Sequence, residues 1–124
     1  MNNKRLGTEF EQQMCRLLKA DGWWVHFLSP DASGAQPFDL IAVQGRRVIA
    51  ADCKTASVPI FKIDRLEDNQ ISAFEYWRLC GNGEPLLFIK YAERVYVVPY
   101  LMLKQRRRID LREFSPWCKR WVLK

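Results

Sequence analysis

Helical and strand periodicities alternate along the chain. Phe10, Met14, Leu17 and Leu18 fall on one stripe at helical spacing, which predicts a first helix over residues 8–20. Thr8 and Glu11 have capping-box spacing at its start, and Asp21-Gly22 ends it. Residues 23–28 are aromatic and β-branched and predict a strand; residues 29–34 are a loop of turn formers. Residues 37–43 and 47–54 are two apolar strands around Gln44-Gly45-Arg46, a hairpin connection. Residues 56–63 hold Pro59 and no period, and read as irregular. A second helix is predicted over 65–80, with Asp64 and Glu67 at capping-box spacing and Gly81-Asn82-Gly83 as its stop. Residues 86–91 and 95–98 form a second hairpin, and 100–105 a short helix. For the tail two readings stay open: a helix starting at Ser115-Pro116, or a strand over 121–123.

Two hairpins force antiparallel pairs and the middle helix is a crossover, so the expected class is α/β with a mixed sheet. No repeat or low-complexity segment interrupts residues 1–124, so one domain is expected.

Composition narrows the chemistry. No apolar run approaches the ~18 residues of a membrane span. The first fifteen residues carry no apolar leader, and Cys15, Cys53, Cys80 and Cys118 stand far apart without a C-x-x-C. The expectation is reduced thiols in a cytosolic protein, and no zinc site. The size would fit a small phage-encoded enzyme. A lone histidine, His26, leaves no room for a multi-histidine metal site and speaks against Ser-His-Asp hydrolysis.

Charge is segregated. Residues 100–124 hold eight basic and two acidic side chains, which accounts for the whole net charge of +6. A neutral body with a basic tail suggests a polyanionic partner, because each phosphate neutralised releases counterions.

The candidate chemistry lies in the first hairpin. A turn centred on Gly45-Arg46 sets Val43 opposite Val48 and Asp39 opposite Asp52, on one face, with Cβ atoms about 4.5–5.5 Å apart. Lys54, two residues beyond Asp52, points to the same face. Asp52-Cys53-Lys54 is the one acid-x-Lys triplet in the chain. Two carboxylates without a counter-charge suit a hard divalent cation such as magnesium, and the lysine could orient a water or offset phosphate charge. The bland alternative is a salt-bridged surface hairpin. Against it, Asp39 lies in the apolar run Phe38-Asp39-Leu40-Ile41-Ala42-Val43, where a carboxylate is costly.

Glu11 borders the apolar stripe of the first helix: it can cap with Thr8, reach over the sheet edge to the metal, or do both at once. Gln70 shares a face with Phe74 and Trp77 and needs partners, either backbone in the irregular segment or groups at the metal. Trp23, Trp24, Phe27 and Phe61 are expected in the core. Trp117 and Trp121 are expected to pack the tail.

Gly7-Thr8-Glu9-Phe10-Glu11, Phe38-Asp39-Leu40-Ile41-Ala42 and Ala51-Asp52-Cys53-Lys54 together resemble the PD-(D/E)xK nuclease superfamily, and within it the Holliday junction resolvases of the Hjc and RecU type. The resemblance covers about residues 4–91. It implies a restriction-endonuclease-like core with a mixed five-stranded sheet flanked by helices. It implies a magnesium-dependent, structure-selective DNA endonuclease, with manganese as a possible substitute ion, working as a homodimer on branched or double-stranded DNA.

The metal set so implied is Glu11 (rather than Glu9), Asp39, Asp52 and the Cys53 carbonyl, with Lys54 catalytic. Asn69-Gln70-Ile71 is similar to the His-Gln element of RecU-type proteins and brings Gln70 near the site. Ser33 and Thr55 are expected at the scissile backbone; Arg46, Arg47, Arg106, Arg107 and Arg108 are expected on phosphates along the arms. Asp52 stands where Glu is commoner and Asn69 where His is frequent, and the segment 29–36 is short. Two other readings use the same residues: a non-catalytic DNA-binding or inhibitor protein on this fold, and a restriction or repair nuclease with another target.

Overall fold

The structure, a computed structural model, describes residues 3–28, 36–81 and 83–117. Helix α1 runs Asn3–Ala20, starting about two turns before its apolar stripe. Thr8 is therefore inside the helix, and the expected Thr8–Glu11 capping box does not form. Phe10, Met14 and Leu18 are fully buried and fasten α1 to the sheet, each contributing about 1.5–3 kcal/mol.

The strands are β1 (Trp24–Phe27), β2 (Leu40–Gln44), β3 (Arg47–Thr55), β5 (Leu86–Tyr91) and β6 (Arg94–Pro99), in the spatial order β1-β2-β3-β5-β6. All neighbours are antiparallel except β3 and β5, which are parallel and joined through helix α2 (Asp68–Leu79). This is the mixed five-stranded sheet that the two hairpins require. In the first hairpin Gly45 has φ +60° while Arg46 keeps a negative φ, the type II′ pattern whose twist matches its strands. Val43 pairs with Val48 and Leu40 with Ala51, the expected register.

Each face of the sheet carries its own core. Even-numbered positions of β3 face α2, with Ala50 packed among Phe61, Phe74, Leu87 and Ile89; odd-numbered positions face α1, with Ala51 and Cys53 among Phe10, Met14 and Phe88. Helix α3 (Tyr100–Arg106) packs on the α2 side, where the buried Tyr100 donates its hydroxyl to Glu75 at 2.9 Å.

Four expectations are corrected. Residues 56–63 are not wholly irregular: β4 (Ile60–Lys62) pairs antiparallel with β7 (Arg108–Asp110), seating Phe61 and Ile109 in the core. The second helix does not start at 65. Ile63–Arg65 is a single 3-10 turn, and the Ile63 amide is bonded to the Arg107 carbonyl at 2.9 Å. The capping box is Glu67 with Gln70, not Asp64 with Glu67. Trp24 is not core. It lies on the edge strand β1, 61% exposed and stacked on His26, while Trp23 and Phe61 are buried and Phe27 is half-buried.

In the tail, Trp117 meets Phe88 edge-on at 6.3 Å. Both readings of the chain beyond it, with Cys118 and Trp121, lie outside the described residues. Among the described residues no helix is long and apolar enough to cross a membrane, and Cys15, Cys53 and Cys80 are free thiols.

Candidate active site

Among the described residues the buried polar or charged side chains are Asp39, Asp52 and Gln70, and all three stand together. Asp52 and Lys54 project from β3 to the α2 face by strand alternation. Asp39 lies just before β2. Leu40 pairs with Ala51, yet the Asp39 amide also donates to the Ala51 carbonyl at 3.0 Å. Two residues thus meet one, a bulge pattern, so the ladder stops short of a regular Asp39–Asp52 pair. The bulge re-aims the Asp39 carboxylate: Oδ2 accepts the Cys53 amide at 2.7 Å, and Oδ1 accepts the Gln36 side-chain amide.

Gln70, at the third position of α2, ties the acids to the amine. Its Nε2 donates to Asp52 Oδ1 at 3.1 Å; its Oε1 accepts Lys54 Nζ at 3.2 Å and the Glu67 amide at 3.0 Å. Lys54 Nζ also lies 3.2 Å from Asp52 Oδ2. That oxygen is fully buried and receives no well-aligned hydrogen bond. Glu11 comes over from α1 to stand beside Asp39, close enough to share a proton with it.

The electrostatics follow from burial. The Glu11 carboxyl is pushed up to about 7, by desolvation first, then by the Asp39 charge and the shared hydrogen bond, with Lys54 opposing. Asp52 is raised well above the usual carboxylate range by desolvation and Asp39, again against Lys54. The Cys53 thiol is raised by the same burial and the neighbouring acids, and stays neutral. With three carboxyls crowding one ammonium, Glu11 and Asp52 hold on to their protons, which is the electrostatic signature of a place short of positive charge.

Residues 2–114 match the sequence profile described as archaeal Holliday junction resolvase (hjc). The chain belongs to that family. It is 31% identical over 99 residues to the crossover junction endodeoxyribonuclease Hjc of Methanocaldococcus jannaschii, an alignment covering 79% of this chain and 69% of that protein. The fold is shared with the solved structure of Archaeoglobus fulgidus Hjc, a Holliday junction resolvase from an archaeal hyperthermophile. The TM-score is 0.69, at 21% identity over 89% of this chain and 95% of the other. As an Hjc family member the chain is a nuclease, and nucleases of this family generally use divalent metal ions.

The donor set in this Hjc-family chain fits such an ion. Its ligating atoms are hard carboxylate oxygens, and one of them, Asp52 Oδ2, is buried without an aligned donor. Among the described residues no group of three acidic, cysteine or histidine side chains forms a ready-made cage. Two carboxylates supplemented by waters and substrate oxygens is the ordinary provision for magnesium. Because N–H and C=O of one strand residue point to the same side, the Cys53 carbonyl points to the edge where its amide meets Asp39, beyond the end of β2.

The other predicted residues are dispersed. Thr55 lines the cleft beside Lys54. Arg46 and Arg47 sit at the opposite end of β3, about 23 Å from Lys54 at the strand rise. Arg106–Arg108 span the end of α3 and the start of β7. Ser33 lies outside the described residues. Three supporting residues were missed: Gln36, Asn69 and Arg65. Asn69 donates to the Gln36 carbonyl at 2.7 Å, and Gln36 in turn holds Asp39. Arg65 reaches back to the Thr55 carbonyl at 2.8 Å. All three are polar residues next to loops, and no spacing in the sequence marks them.

Proposed function

We propose that this chain hydrolyses phosphodiester bonds at four-way DNA junctions, with a PD-(D/E)xK-type site built from Glu11, Asp39, Asp52 and Lys54. The observation that carries the reading is the gathering of the buried polar side chains around one lysine at the edge of a cleft of about 540 Å³. A fold has no stability reason to bury two acids side by side.

Asp39 and Asp52, with Glu11 and the Cys53 carbonyl, would hold magnesium, or manganese in its stead. Bound there, the ion polarises a phosphoryl oxygen and acidifies a water. Lys54, half-buried and held by Asp52 and Gln70, keeps its ammonium where it orients the attacking water and offsets charge on the phosphate. Gln70 bridges Asp52 and Lys54 and fixes their separation, the positioning role that the RecU side of the resemblance suggests. Thr55, and Ser33 from the preceding loop, serve the scissile backbone.

Arg106–Arg108 and the more distant Arg46 and Arg47 fit phosphates along the arms. The span of about 23 Å along β3 equals roughly seven stacked base pairs of duplex. A homodimer would present two such sites. The outer face of α2 suits a second copy: Tyr76 and Leu79 are 71% and 83% exposed, beside an apolar groove lined by Phe38, Ala73 and Trp77.

The test is a panel of four-way, flap and linear DNA substrates incubated with magnesium. Preferential, paired incision of the four-way junction is expected. Binding without any cleavage would favour the non-catalytic reading, and preferred cleavage of linear or flap DNA a different target.

A further inference from the structure

The cleft holding Lys54 has a second cation at its rim. Arg65, on the 3-10 turn, lines that cleft together with Gly7, Cys53, Lys54 and Thr55. One of its Nη atoms donates to the Thr55 carbonyl at 2.8 Å, and its guanidinium stands 5.0 Å over the ring of the buried Phe61. The side chain is exposed. Unlike Arg78, Lys104 and Arg112, it is paired with no carboxylate among the described residues.

A surface arginine usually swings freely. Here the ring face and the carbonyl hold the plane of the guanidinium, so most of the ordering needed to bind an oxyanion is already done. Four of its five N–H donors remain for a ligand, in the fork that matches phosphate oxygens. The position is also specific. Thr55, whose carbonyl holds the guanidinium, is the residue after Lys54 on β3, so Arg65 is fixed beside the catalytic lysine. The turn carrying Arg65 is bonded through Ile63 to Arg107, so Arg65 lies between the catalytic lysine and the arginine run.

We infer that Arg65 binds the DNA phosphate next to the scissile one and sets which phosphodiester enters the site. The inference rests on the nuclease reading above and adds a position-determining contact to it.

The test compares wild type, R65Q, R65K and K19Q. Lys19 removes the same charge about 18 Å along α1 from Gly7 and serves as control. Binding to a four-way junction is measured in EDTA across a salt series, and cut positions are mapped at nucleotide resolution with magnesium. For R65Q the expected result is about tenfold weaker binding, a salt slope shallower by about 0.9, and incision spread over neighbouring phosphodiesters. R65K should restore the slope but not the cut position, because a lysine lacks the planar fork. K19Q should keep the cut position. A purely structural role for Arg65 would lower the melting temperature and leave slope and cut position unchanged, and that result overturns the inference. Should R65Q be too unstable to assay, R65K decides: an unchanged cut position overturns the inference. If wild type itself neither prefers nor cuts the junction, the nuclease reading has failed and the inference falls with it, a pattern distinct from a silent Arg65 variant.

Discussion

Replacing Gln70 with leucine tests the site as a unit. Leucine fills similar volume, so the cavity cost is small. What is lost are three hydrogen bonds: to Asp52 at 3.1 Å, from Lys54 at 3.2 Å and from the Glu67 amide at 3.0 Å. At about 1 kcal/mol each the loss is about 3 kcal/mol, and the buried Asp52 oxygen left behind adds to it. For a chain of this length the unfolding entropy converts that loss into a fall in melting temperature of about 10 °C. Cleavage should suffer separately. With Asp52 and Lys54 no longer bridged, the single-turnover rate should drop about 10–100-fold while junction affinity holds. Thermal unfolding in EDTA and single-turnover cleavage at saturating enzyme measure the two effects. Glu67→Ala is the control for the helix cap. It removes only the acceptor for the Gln70 amide, and should cost about 1 kcal/mol without slowing cleavage. A Gln70→Leu protein that melts within a degree or two of wild type and cuts at the wild-type rate would refute the bridging argument.

Lys54→Ala should abolish cleavage and leave metal-free junction binding within a few fold, read by gel shift and by nicking of labelled junctions; wild-type cutting would mean the amine is misassigned. The metal-free protein should lose stability as pH rises. Glu11 has a folded value of about 7 against an ordinary 4.5, so its contribution is complete below about pH 4.5 and is lost as pH climbs through 7. After halving for its partial exposure this is roughly 1–2 kcal/mol, and Asp52 acts in the same direction. Denaturant melts in EDTA from pH 5 to 8 should show the decline, and Glu11→Gln should flatten it. Adding magnesium should reverse the decline at pH 8, above the folded value of Glu11, because the ion binds the ionised form of the site. Leu79→Glu should shift the protein to a slower-associating or monomeric state in sedimentation and uncouple the two incisions; an unchanged dimer would move the interface elsewhere.

The hairpin was legible because two independent local signals agree. A type II′ turn at Gly45-Arg46 and the alternation on its two strands permit one register. The strand β4 was not legible. It is three residues long, follows Pro59, and exists because β7, more than forty residues later, supplies its partner. The start of α2 was misplaced for a related reason: the Ile63 amide finds its acceptor on Arg107, so no local cap is needed at Asp64. The same division runs through the site. Asp39, Asp52 and Gln70 stood out because each breaks a local rule, a polar group set in an apolar stretch or on an apolar helix face, and such breaks persist only where function compensates. Gln36, Asn69 and Arg65 break none. They are polar residues beside loops, and their meaning lies wholly in what the fold carries to them: the carboxylate of Asp39, the backbone of Gln36 and the carbonyl of Thr55. A chain thus advertises the groups it strains to hold, while the groups that aim them become visible only once distant segments have met.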